Sequence, residues 1–269
     1  MKAAILAVIL SCSAHSRAAT PAPAKESPAP HELEAVQKQA AGKLELGAAK
    51  KESLPREILW VRDSVEYAKA CVQAFRWGGQ AVEKASRRQK GDWAVVLDVD
   101  ETVLSNLQYQ IELGGKPYDP QSWDAWVRRK EGVPIPGARE FLDRVRSLEG
   151  GHVVFITDRR SSQEEATIEN LGALGLFKDG DLLLGKIDKA DTKEARRRCV
   201  EQGKRGQNPR CQARSPMPII ALFGDSFRDF EEKYEAQAYA ARSDEDARWG
   251  GRFFVIPNPL YGQWERGYK

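Results

Sequence analysis

The sequence predicts an α/β fold, a parallel sheet flanked by helices with a small, mostly helical cap inserted after the first strand. Three observations carry this. Short apolar runs recur at residues 93–97, 153–157, 182–184, 219–223 and 253–256. Segments of helical periodicity lie between them at 137–148, 162–174, 192–202 and 227–238, and such alternation implies a parallel sheet covered on both faces. The stretch 105–134 follows neither pattern. It carries Tyr109, Tyr118, Trp123, Trp126 and several glycines, and structureless loops of that length are uncommon, so it reads as a lid or small cap over the strand ends.

The elements follow in chain order. Lys2, an apolar run at 3–10 and the small residues Ser11, Ser13 and Ala14 have the layout of a secretory signal, residues 1–18, cleaved after Ala18. An exported protein is expected, periplasmic or associated with a bacterial outer membrane. The tetrapeptide ILSC also has the layout of a lipoprotein box, which would make Cys12 a lipid anchor; both readings stay open. Residues 19–53 read as a flexible linker, with the Pro/Ala-rich TPAPAKESPAPH at 20–31 as an extended tether. The folded domain is expected over 54–269. Its N-terminal part, 54–90, repeats Ile58, Val61, Val65, Ala68, Val72 and Phe75 at threes and fours, giving one or two amphipathic helices. Pro136 opens the next helix, where its missing N–H costs nothing. Ser162 with Glu165, and Asp191 with Glu194, have capping-box spacing.

Composition removes several function classes. Lys and Arg number 42 against 39 Asp and Glu, a net +3; loss of Lys2 and Arg17 with the leader leaves 40 − 39 = +1. Near-neutral charge with scattered signs gives no basic face, so no nucleic-acid polymer is expected as a partner. No apolar run of membrane-spanning length follows the leader, which disfavours an integral membrane protein. Three histidines, His15, His31 and His152, are too few and too scattered for histidine-centred chemistry. Cys199 and Cys211 could pair in an oxidising compartment, with Cys71 buried and free; three unpaired thiols is the alternative.

The chemistry concentrates at strand ends. VVLDVDET places Asp98 and Asp100 where an apolar strand stops, the end at which open parallel sheets bind ligands. Two other strands end in FITDR, with Thr157, and FGDSFRD, with Asp225 and Asp229. Carboxylates converging there would repel one another without a cation, and an oxygen-only set suits magnesium over zinc. Each residue also has a plain structural role: Asp225 and Asp229 would cap the following helix, and Thr157 suits a strand.

LDVDETVLSN, WDAWV, IPGAREFL, FITDR, DTKEARR, GDSFRDF and PNPLYGQWE, in that order, resemble the haloacid-dehalogenase (HAD) phosphohydrolases. More narrowly they resemble the class C, subfamily IIIB acid phosphatases, which include bacterial outer-membrane lipoprotein nucleotidases. The resemblance runs from about residue 54 to residue 265. It implies a HAD-type, Rossmann-like sheet and an aspartyl-phosphate mechanism, with Asp98 as nucleophile and Asp100 as general acid and base. Mg2+ would be held by Asp98, the backbone carbonyl of Asp100, Asp225 and Asp229. Thr157 and Lys193 would bind the phosphoryl group, Lys193 being preferred over Lys186 and Lys189 by its place in DTKEARR. Trp123 and Tyr261 would sandwich a nucleoside base, with Trp126 in the core and Trp264 pinning the tail. Arg159 and Arg196 would add positive potential. The basic stretch 199–218 departs from the pattern and is expected as a surface hairpin away from the site.

The implied activity is Mg-dependent hydrolysis of nucleoside 5′-monophosphates and related small phosphate esters. A broad-range acid phosphatase without nucleotide preference is the nearest alternative. A secreted binding or storage protein on a phosphatase scaffold is the alternative of another class, disfavoured because Asp98 and Asp100 are both present. A monomer and a homodimer both stay open.

Overall fold

In the computed structural model, residues 54–205, 210–211, 214–230 and 246–268 are described. The leader, its cleavage point, Cys12, the linker 19–53 and most of the helix expected at 227–238 lie outside them.

The chain enters through α1 (Arg56–Asp63) and α2 (Val65–Ser86). The break falls at Ser64, whose hydroxyl accepts from Tyr67 N at 3.1 Å and caps α2. The apolar stripe restarts there. Val65, expected within it, is 65% exposed, while Tyr67, Cys71, Phe75 and Val82 carry the buried face of α2. Then follow β1 (Trp93–Leu97), β2 (Leu104–Ser105), α3 (Leu107–Leu113), α4 (Pro120–Arg129), β3 (Val133–Pro134), α5 (Ala138–Ser147) and β4 (Gly151–Arg160). The domain continues with α6 (Glu164–Ala173), β5 (Leu182–Lys186), α7 (Lys193–Gln202), β6 (Ile219–Gly224) and β7 (Phe253–Val255).

Five strands form one parallel sheet in the order β5-β4-β1-β6-β7. All of β1 is buried, and its side chains alternate between two cores, as the pleat dictates. Val95 and Leu97 join Phe75 of α2 and Phe141 and Leu142 of α5. Ala94 and Val96 join Cys199 and Val200 of α7. Burying a side chain of this size stabilises by about 1.5–3 kcal/mol, so β1 is the element least able to shift. The chain leaves β1 toward β4 on one side and reaches β6 only later on the other. That reversal of direction opens the crevice where such sheets bind ligands, at the carboxyl ends of β1 and β6.

The antiparallel pair β2–β3 closes the base of the 104–134 insertion, which holds α3 and α4 around a small cluster of Tyr109, Trp126 and Val127. Two expected caps differ. Thr192, not Asp191, caps α7, accepting from Ala195 N at 3.1 Å, and Asp191 instead accepts from Ile187 N. A 3-10 turn at Ser161–Gln163 precedes α6, so Ser162 is not its cap. Cys199 and Cys211 form a disulfide, and Cys71 is free and buried. Within the basic 199–218 stretch, Arg210 docks on the Gly185 carbonyl at 2.7 Å and pairs with Glu164. Trp264 is 42% exposed, and its indole N–H donates to the Tyr261 carbonyl at 3.2 Å.

Candidate active site

The polypeptide turns sharply on leaving β1. Asp98 N donates to the Phe223 carbonyl of β6, and the amides of Val103 and Leu104 both return to the Val99 carbonyl. Glu101 takes the left-handed conformation, φ 54°, at the apex, a strained state for a non-glycine residue. This turn separates two carboxylates only two residues apart and sends them to different partners.

Asp98 joins Asp225 and Asp229, with one oxygen from each lying within 4.8 Å of the others. Asp229 reaches the group because Gly224 has no side chain: a Cβ there would sit 2.2 Å from the Asp229 carboxylate. Asp229 is further fixed by Ser226 N at 2.9 Å, and Asp225 by Asn258 Nδ2 at 2.8 Å. Among the described residues, one ammonium serves two of these carboxylates. Lys193, at the first turn of α7, lies 2.7 Å from Asp98 Oδ1 and 2.5 Å from Asp229 Oδ1. Lys186 and Lys189 do not make this contact. Burial alone would lower the Lys193 pKa, but Asp229, Asp98 and Asp158 outweigh it and raise it above the ordinary lysine value.

One lysine does not neutralise two buried carboxylates and a half-buried third. Burial, reinforced by Asp229 and Asp100 and opposed by Lys193, pushes the Asp98 carboxyl up to about 8. Burial, then Asp229 and Asp98, raises Asp225 well above the carboxylate range. Such groups stay ionised together only with a further cation among them. Three hard oxygen donors without histidine or thiolate fit a hard divalent ion.

The Asp100 carboxylate lies outside this trio. Arg159 donates to it from Nη2 at 2.7 Å and from Nε at 3.0 Å, and Asn106 Nδ2 donates at 2.9 Å. Asn106 also ties in Glu101, through its amide N at 2.6 Å and Nδ2 at 3.2 Å, and accepts from Trp126 Nε1 at 2.8 Å. Glu101 is 1% exposed; burial, then Asp100, pushes its carboxyl up to about 7, against the Tyr261 hydroxyl and Asn106. Asn106, Glu101 and Asn258 carry no spacing signal in the sequence: Asn106 reaches Glu101 five residues away, but Trp126 meets Asn106 across 20 residues, Asn258 meets Asp225 across 33 and Tyr261 meets Glu101 across 160.

Asp98, Asp100, Lys193, Asp225, Asp229, Trp123 and Tyr261 all line one cavity of about 750 Å3. Thr157 does not: it is fully buried, and its hydroxyl accepts from Arg159 N at 3.1 Å. Trp123 meets the edge of Tyr109 at 5.1 Å and has the Arg159 guanidinium over its ring at 5.5 Å, so part of its surface is already covered. Tyr118, in the stretch expected as a lid, is 63% exposed and lines the same cavity 6.4 Å from Trp123. The Tyr261 hydroxyl donates to Glu101. Trp126 is buried, as expected. Arg196 is fully buried and donates to the Thr157 carbonyl at 2.5 Å, holding β4 against α7 without reaching the cavity.

The HAD superfamily, subfamily IIIB (Acid phosphatase) family matches residues 19–264. The class C acid phosphatase from Bacillus anthracis superposes with a TM-score of 0.64 at 30% identity, covering 80% of this chain and 88% of that one. Its tungstate-bound crystal structure gives 0.64 at 31% identity over 78% and 85%. Vegetative storage protein 1 of Arabidopsis thaliana is 27% identical over 170 residues, and Acid phosphatase 1 of Solanum lycopersicum 27% over 174, each covering 62% of this chain. Those alignments span just over half of the two plant proteins, 54% and 57%. A family match running almost from end to end, on a shared fold, places this chain in the HAD superfamily, subfamily IIIB, the acid phosphatases.

Proposed function

We propose that the protein is an exported, magnesium-dependent phosphomonoesterase acting on nucleoside 5′-monophosphates and related small phosphate esters. The observation that carries this is the Asp98–Asp225–Asp229 trio with Lys193 at 2.7 Å from Asp98, on the wall of a cavity that also holds Asp100. Bound there by the three carboxylates, magnesium would supply charge neutralisation to the phosphoryl oxygens. Asp98 attacks phosphorus and carries the phosphoryl group, while Lys193 offsets the charge beside it. Asp100 gives a proton to the leaving oxygen and later takes one from the hydrolytic water. The Bacillus anthracis enzyme was solved with tungstate, an oxyanion of phosphate's shape, which supports a phosphate seat here.

The nucleotide preference rests on the cavity. About 750 Å3 exceeds what inorganic phosphate needs, and Tyr118, Trp123 and Tyr261 supply flat apolar surface on its wall. Stacking on such rings is tolerant of base identity because every base has a π-face. The apolar leader supports export, with Cys12 as the anchor if the lipoprotein box is used. The storage reading gains weight from the plant relative's name, against the presence of Asp98 and Asp100.

Phosphate release from AMP, NMN and p-nitrophenyl phosphate, with magnesium and with EDTA, tests this. Magnesium-dependent release that favours the nucleotides supports the proposal, and equal rates across esters favour the broad-range phosphatase. No release by a folded, magnesium-binding protein favours the storage reading.

A further inference from the structure

Asp100 is held unevenly. Its Oδ1 receives Arg159 Nη2 at 2.7 Å, Arg159 Nε at 3.0 Å and Asn106 Nδ2 at 2.9 Å, whereas among the described residues Oδ2 receives only the Arg159 Nε at 3.2 Å. One oxygen is saturated and the other is left nearly free.

The guanidinium that does this is itself fixed. Arg159 is 3% exposed. Its Nη1 donates to Thr167 Oγ1 at 3.1 Å and its Nη2 to Asn106 Oδ1 at 3.2 Å. The Thr167 hydroxyl donates onward to the Gln163 carbonyl at 2.8 Å, and Asn106 Oδ1 also takes the Trp126 indole N–H. Thr167, Asn106 and Trp126 are all buried. An arginine fork set in a buried network fixes a carboxylate's rotation more firmly than a lysine point charge can.

We infer that Arg159 is a positioning residue that turns Asp100 so that Oδ2, and not Oδ1, exchanges the proton during catalysis. The inference rests on the proposed acid–base role of Asp100. In the first step an Asp98 oxygen bonds to phosphorus as the bond from phosphorus to the ester oxygen breaks. The proton on Asp100 Oδ2 passes to that leaving oxygen, and the carboxylate so formed faces the permanent charge of Arg159. In the second step water attacks phosphorus and gives its proton to Oδ2. The bond to Asp98 breaks, and phosphate leaves.

The test is leaving-group dependence, read as kcat/KM, which reports events up to release of the alcohol. A p-nitrophenolate departs without a proton; the ribose oxygen of AMP does not. Arg159→Met, Arg159→Lys and Asp100→Asn are compared with the parent on both esters, with magnesium present. Arg159→Met is expected to lose about 100-fold on AMP, the low end of general acid catalysis, and no more than about 10-fold on p-nitrophenyl phosphate. Arg159→Lys, which keeps the charge without the fork, is expected to show the same bias at about 10-fold, and it decides the matter if the methionine variant does not fold. Equal losses on both esters for the Arg159 variants, beside a biased Asp100→Asn, would overturn the positioning role alone. An unbiased Asp100→Asn would remove the acid–base reading and the inference with it.

Discussion

Asp98 and Asp100 stand two residues apart and occupy opposite surroundings. Asp98 is buried beside Asp225 and Asp229, and shares Lys193 with Asp229. Asp100 is wrapped by a guanidinium and an amide, and its side chain keeps 17% exposure. The first environment leaves negative charge short of compensation, which draws in a cation and an electrophile. The second saturates one carboxylate oxygen and orients the other, an arrangement that suits the proposed proton transfer at a fixed angle. Neighbouring residues of one type acquire different chemistry because the turn after β1 aims one at β6 and α7 and the other at β4 and the insertion.

The sharpest way to break the contrast is Asp98→Asn. It keeps the shape and removes the proposed nucleophile, and phosphate release is expected to fall at least about a thousand-fold, while circular dichroism and the melting curve stay close to the parent's. Activity kept within about ten-fold would take the nucleophile role from Asp98.

Lys193→Met probes the same cluster through stability. Removing one partner of a buried ion group costs about 3–5 kcal/mol, to be read from urea unfolding of the metal-free protein. The loss is expected to shrink with magnesium present, since the ion takes over part of the neutralisation.

Metal and pH act together on that cluster. The folded-state pKa of Asp98, about 8, lies above its ordinary 3.8. In metal-free protein its contribution is therefore full below about pH 4 and is lost as the pH rises toward 8. Magnesium, proposed to bind the ionised cluster, is expected to raise the melting temperature more at pH 8 than at pH 5. At a hundred-fold excess over Kd the gain is about 2.7 kcal/mol. A shift independent of pH would separate the ion from these carboxylates.

The smallest expected effect is on the Asp100 side. Tyr261→Phe keeps the ring but removes the donor to buried Glu101, at a cost of about 1–3 kcal/mol in thermal unfolding. KM for AMP is expected to change little, because the stacking surface survives. A large rise in KM with unchanged stability would show that the hydroxyl serves substrate and not Glu101.

Much of this was legible in the sequence because it is local. Apolar runs located the five sheet strands, their ends located Asp98, Asp100 and Asp225, and DTKEARR selected the one lysine of three that reaches Asp98. The Asn106–Arg159–Glu101–Tyr261 network was not legible. Its contacts join residues 53 and 160 positions apart, and no spacing rule encodes which buried donor meets which carboxylate. The cap of α7 misled for a different reason: Asp191 and Thr192 are adjacent and both able to cap, and the fold uses Thr192 while Asp191 closes the preceding turn. The sequence places Tyr118 in the lid stretch, but no periodicity marks which lid aromatic faces the cavity, and its exposure there makes it a candidate for base contact.

The most direct measurement is to trap the intermediate. Asp100→Asn, lacking the group that activates water, would be mixed with p-nitrophenyl phosphate and magnesium, quenched in acid and mapped by mass spectrometry. The account predicts one phosphoryl group on the peptide bearing Asp98, absent when Asp98→Asn is added. A phosphoryl group on another residue, or p-nitrophenolate released in turnover with no adduct at any time, would contradict it.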